Sequence, residues 1–134
     1  MTKFFFFVAL LSSTVFFSAC KKVEGTGGSS SIRGKISALN YNSAGIYQNN
    51  SYDAADVDVF IIYGDSKTIQ DDKVATSYDG SFEFKYLEKG NYTLYVYEKC
   101  FGADCPTGKT VVLKSATISK SKETVDVGTI EIKD

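Results

Sequence analysis

The chain has 134 residues, a net charge of -1 and no histidine. That length fits one domain. The interspersed charges exclude a basic stripe for nucleic acid, and the missing imidazole excludes histidine acid–base chemistry, Ser/His or Cys/His nucleophiles and His-containing zinc sites. Nine tyrosines and ten phenylalanines, with no tryptophan and one proline, favour strands over helices.

The first element is an apolar run, Phe4 to Phe17, behind a positive Lys3. As a helix it would span ~21 Å, short of the ~30 Å of a bilayer core, which is the shape of a cleavable signal. Phe17-Ser18-Ala19-Cys20 resembles a bacterial lipobox, with Phe17 where leucine is usual. The resemblance implies residues 1–19 as a lipoprotein signal peptide and Cys20 as the lipidated residue. By that resemblance it would carry a diacylglycerol thioether and an acylated amine, and two or more acyl chains hold a membrane stably. The next segment, KKVEGTGGSSS, lacks apolar periodicity and ends in Gly and Ser, so residues 20–31 read as a flexible tether and 32–134 as the domain.

From Ile32 the apolar period is two. Seven strands are expected: 32–36, 56–63, 73–78, 81–86, 91–97, 109–118 and 124–132. Asp79-Gly80 between the third and fourth reads as a type I′ hairpin turn. Phe82, Phe84 and Tyr86 are placed on one face. In the last run the inward parity passes from Val125 and Val127 to Ile130 and Ile132, so a β-bulge is expected at Gly128. Residues 40–55, NYNSAGIYQNNSYDAA, read as a long polar loop. Tyr41, Tyr47 and Tyr52 there are contact candidates by their amphipathic rings, or else incidental residues of a connection. The fold expected is an all-β, seven-stranded, two-sheet sandwich following the cleaved signal.

Ile32-x-Gly34-x-Ile36, Ala55-x-Val57-x-Val59, ATSYDGSFEFKYLEKGNYTLYV and Gly128-x-Ile130-x-Ile132 together resemble the carboxypeptidase regulatory-like domain, a transthyretin-like (prealbumin-like, Ig-like) sandwich. The resemblance implies a noncatalytic accessory, adhesion or spacer module. With the lipobox, it is similar to small envelope lipoproteins of the Bacteroidota type. It also places the second and fifth expected strands side by side, so that Phe60, Ile62, Tyr95 and Tyr97 form one outward aromatic patch, either an interface or a face covered by loop 40–55.

Cys100 and Cys105 remain once Cys20 is lipidated, and export favours their pairing over free thiols. The scattered aspartates follow no calcium-loop spacing, and neither a metal nor a cofactor is expected. The expectation is therefore no enzyme. It is a lipid-anchored protein of the cell envelope, in the outer membrane of a Gram-negative bacterium, with a membrane contact through its lipid and a protein or glycan as partner. A ligand-free spacer is the first alternative and a small envelope hydrolase or metal-dependent enzyme the second.

Overall fold

A computed structural model describes residues 23–65 and 69–134, so Cys20 and the expected signal lie outside the described residues. The described chain forms eight strands and no helix: β1 (Thr26–Tyr41), β2 (Tyr47–Asp53), β3 (Asp58–Tyr63), β4 (Asp72–Ala75), β5 (Ser81–Leu87), β6 (Gly90–Lys99), β7 (Lys109–Ile118) and β8 (Thr124–Lys133). They make a two-sheet sandwich, as the alternating apolar pattern implies. In the first sheet β8 runs parallel along one edge of β1, while β5 and then β2 pair antiparallel with successive stretches of its other edge. The second sheet has the order β4-β3-β6-β7, all antiparallel.

Alternation places the core correctly. Ile32 and Ile36 of β1, Val59 and Ile61 of β3 and Leu94 and Val96 of β6 are fully buried between the sheets. Burying each such aliphatic side chain contributes roughly 1.5–3 kcal/mol. The bulge expected at Gly128 is present. Arg33 and Lys35, two residues apart, face Asp126 and Thr129, three apart. Gly128 takes φ +74° and donates its N–H to the Asp126 carboxylate at 2.9 Å. That extra residue is what turns both Val127 and Ile130 toward the core.

Four expectations are corrected. Strand β1 begins at Thr26, inside the segment read as tether, and Ser30 and Ser31 are buried. Their hydroxyls explain why a linker-like composition folds. Ser30 donates to the Lys120 carbonyl at 2.9 Å and accepts from the Glu123 N–H at 3.1 Å, while Ser31 bonds the Thr124 hydroxyl. The serines thus satisfy backbone groups of the turn between β7 and β8 that would otherwise lack partners. One step earlier, Gly25 donates its N–H to the Tyr92 hydroxyl at 3.1 Å, and that hydroxyl donates to the Glu88 carbonyl at 2.7 Å.

Residues 40–55 are not one loop. They contain β2, an all-exposed edge strand held by β1, which raises the strand number from seven to eight. Its backbone bonds to β1 hold it in place, and no apolar face of its own is needed.

The Asp79-Gly80 turn does not join a hairpin of paired strands. β4 belongs to the second sheet and β5 to the first, and only Gly80 has positive φ, +77°. The turn carries the chain from one sheet to the other, closed by Gly80 N–H to Ser77 carbonyl at 2.9 Å and Ser77 N–H to Ser81 carbonyl at 2.8 Å.

Finally, Phe82 and Phe84 face inward but Tyr86 does not. Its φ of +60° breaks the alternation, leaving Tyr86 70% exposed and turning Leu87 into the core instead.

Candidate binding surfaces

The strand directions give the sandwich two distinct ends. At one end the described chain begins, with Gly25 tied to Tyr92 and Glu88. At the other, β1 finishes at Tyr41 and β6 at Lys99. Here Glu98 accepts the Lys133 N–H at 3.0 Å, and Lys99 pairs with Asp134 at 2.9 Å.

This far end holds all three candidate tyrosines of residues 40–55, and two of them cluster with one another. The Tyr41 and Tyr47 rings lie 5.4 Å apart, and Tyr41 stacks on Phe101 at 5.7 Å. Phe101 was not foreseen. It sits in the loop closed by the Cys100–Cys105 disulfide, whose Cα atoms are 5.8 Å apart. Gly45 permits the contact, since a Cβ there would stand 2.9 Å from the Phe101 side chain. The one signal for Phe101 in the sequence was a large aromatic held between two cysteines. Reducing the disulfide is expected to cost about 2 kcal/mol by loop-closure entropy. The check is a lowered urea midpoint with the β-sheet circular dichroism retained.

Tyr52 stands apart from that cluster. Its hydroxyl donates to the Asp134 carboxylate, which also holds Lys99. The Tyr52 hydrogen bond and the Lys99 amine keep the Asp134 carboxyl below the usual carboxylate range, and the same bond raises the Tyr52 phenol. Between Tyr52 and Tyr97 a cavity of about 330 Å³ opens over buried Ala38, Ala54 and Ile132.

The second surface is the outer face of the second sheet. Strands β3 and β6 are neighbours, and the register sets Phe60 opposite Tyr95. Their rings stack at 4.8 Å with planes 10° apart, and Tyr97 meets both edge-on, at 5.7 and 5.8 Å. Phe60, Ile62, Tyr95 and Tyr97 therefore do come together, but their exposure differs. Ile62 and Tyr95 are buried, at 8% and 9%, and the Tyr95 hydroxyl donates to Gln70 at 3.0 Å. Tyr97 is 51% exposed. Loop 40–55 cannot be the cover, because β2 lies in the other sheet. The exposed part of the face continues instead onto β7, where Leu113 and Val111 sit opposite Tyr95 and Tyr97. These side chains line a hollow of about 360 Å³ with Asp65 and Thr93 at its polar side.

A third hollow, about 760 Å³, lies over the charged outer face of the first sheet. Its charges cancel in pairs: Arg33 with Asp126 at 3.1 Å and Lys85 with Glu83 at 3.5 Å, while Lys35 reaches Asp53 at 2.9 Å. Exposed pairs of this kind contribute little to stability. Among the described residues no three His, Cys, Asp or Glu side chains converge on a metal position.

No family model matches the chain, and no curated protein matches it in sequence. The resemblance to the carboxypeptidase regulatory-like domain therefore rests on its motifs. Among the solved structures similar in fold, two are described. One is a protein of Pseudomonas aeruginosa provisionally described as carbohydrate-binding, with TM-score 0.44 and 15% identity over 82% of this chain and 91% of that one. The other is the minor pilin of the Gram-positive pathogen Streptococcus agalactiae, with TM-score 0.40 and 17% identity over 80% of this chain and 46% of that one.

Proposed function

We propose that the chain is a noncatalytic, lipid-anchored protein of the bacterial cell envelope, in the outer membrane, whose sandwich offers an aromatic surface to a protein or glycan partner. The observation that supports this reading most is the polarity of the sandwich. The described chain starts at one end, while the Tyr41–Tyr47–Phe101 cluster lies at the other, with Tyr97 beside the cavity there.

From Ser30 to Tyr41 the strand covers roughly 35 Å at about 3.3 Å per residue. Because Gly25 is already fastened to the fold, the tether shortens from eleven residues to the few between Cys20 and Gly25. Five residues reach at most ~17 Å. An acylated Cys20 would thus hold one end near the headgroups and direct the other away from them. Exposed tyrosine at a protein surface supplies rigid amphipathic contact area for either a peptide or a sugar ring.

Cys20→Ser tests the anchor. The variant is expected to leave the membrane fraction and appear as soluble protein in the envelope extract. Undiminished membrane association, with no lipid on the wild-type chain by mass spectrometry, contradicts it.

A further inference from the structure

We propose that the free edge of β7 accepts an extended, acidic segment of a partner protein as an added strand. This edge borders the aromatic face and shares Leu113 and Val111 with it, but its binding groups are the backbone of β7, so the proposal stands whether or not that face binds. An unpaired strand edge offers a row of backbone donors and acceptors whose natural complement is another extended chain.

Most of the other strands along the sheet edges carry a feature that discourages such pairing. β4 has four residues. β8 is bulged at Gly128, β5 is broken by the positive φ of Tyr86, and β2 is twisted out of regular strand geometry by Asn49 at φ +58°. β7 has none of these. Its ten residues keep an unbroken register with β6, from Gly90 opposite Ile118 to Lys99 opposite Lys109. No backbone pairing joins it to β8 among the described residues. Leu113, 63% exposed, and Val111 would lie beside alternate side chains of an incoming strand.

Charge specifies the occupant. Residues 106–122, PTGKTVVLKSATISKSK, hold four lysines and no acid in a chain of net charge -1. Glu123, which follows, directs its carboxylate to the N–H groups of Ser119 and Lys120. Lys109 and Lys114 have no ion pair among the described residues, whereas Lys35, Lys73 and Lys99 are each paired with an aspartate. Across the ladder Lys109 faces Lys99 and Lys114 faces Leu94, so neither has an acid directly opposite on β6, and the nearby Glu98 and Asp134 are engaged by Lys133 and Lys99.

Lys114 shares the inward parity of Val112 and Ala116. A charge so placed on an edge penalises indiscriminate pairing. A second copy of β7 would bring further lysines to the same edge. A strand bearing glutamate or aspartate removes the penalty, which makes the edge selective.

The test uses the full chain in detergent and three synthetic decapeptides: a Val/Thr/Glu strand, its Lys-for-Glu twin, and the first peptide N-methylated at alternate residues. Calorimetry is expected to show binding of the glutamate peptide, roughly tenfold or more tighter than the lysine twin, and no binding of the N-methylated form. Amide exchange over 109–118 is expected to slow about tenfold on binding. In the double variant Lys109→Glu/Lys114→Glu the peptide preference should reverse. Absence of binding overturns the proposal, as does binding that survives N-methylation. Concentration-dependent protection of β7 without peptide also overturns it, since a second copy would then be the occupant.

Discussion

Gly80→Val is expected to destabilise the domain by about 4 kcal/mol, with contributions from backbone strain and overpacking. Gly80 is held at φ +77°, where a β-branched residue is strongly disfavoured. A Cβ there would run into the backbone carbonyl of Ile36 and come within 3.2 Å of the Ala54 N–H. Those two groups are bonded to each other at 3.1 Å, and Ile36 donates its own N–H to Gly80 at 2.8 Å. The substitution therefore strains the turn and pushes apart the backbone that ties β1 to the crossing between sheets. Gly102→Ala is the control. It also has positive φ, +93°, but nothing stands within 4 Å of its Cβ position, so it should cost only ~1–2 kcal/mol. Urea midpoints of the two variants measure the difference. Against a total stability of roughly 5–15 kcal/mol, the first loss is enough to depopulate the fold on mild denaturant.

Tyr95→Ser and Tyr97→Ser are expected to separate stability from binding. Tyr95 is 9% exposed, stacked on Phe60 and bonded to Gln70, so its removal should cost about 3 kcal/mol, near the lower range for large aromatic truncations. Tyr97 is half exposed and keeps two edge-on ring contacts, so its truncation should cost about 1 kcal/mol. Partner affinity should respond in the opposite order. Tyr97→Ser is expected to weaken it by roughly 30-fold, the effect of a ~2 kcal/mol hot spot. Equal destabilisation by both changes, with unchanged partner binding, would identify the face as a covered surface.

The sheet architecture was legible wherever one face of a strand meets the core. Val59 and Ile61, Phe82 and Phe84, and Leu94 and Val96 declare themselves by alternation because the side opposite each pair meets solvent or a lateral neighbour. The Gly128 bulge was legible for a related reason, since a parity change in an otherwise regular strand needs an extra residue. β2 was not legible. Every residue of it is exposed, so no alternation marks it, and the main-chain bonds that pair it with β1 leave no trace in its side chains. The start of β1 was hidden because serine hydroxyls that bond a distant turn look like serines in a linker. Asp79-Gly80 announced a turn, but which sheet each flanking run joins depends on contacts far along the chain.

The candidate surface was legible in part. The adjacency of Phe60 and Tyr95 followed from parity together with the strand order that the family resemblance implies. The burial of Tyr95 did not, because it depends on Gln70 from the connection between β3 and β4. Tyr41, Tyr47 and Tyr52 were singled out by residue type alone; the structure brings the first two into ring contact, while Phe101 reaches them only through the chain reversal at the disulfide loop.

The most direct measurement is site-specific photocrosslinking in native cells. A photoreactive phenylalanine analogue is placed in turn at position 97, on the aromatic surface, and at position 78, where the native tyrosine is 89% exposed in the turn between the sheets. A membrane-held module that recognises a partner through the aromatic surface predicts a discrete adduct from position 97 that is absent from position 78. No adduct from either position, or the same spread of products from both, would contradict it.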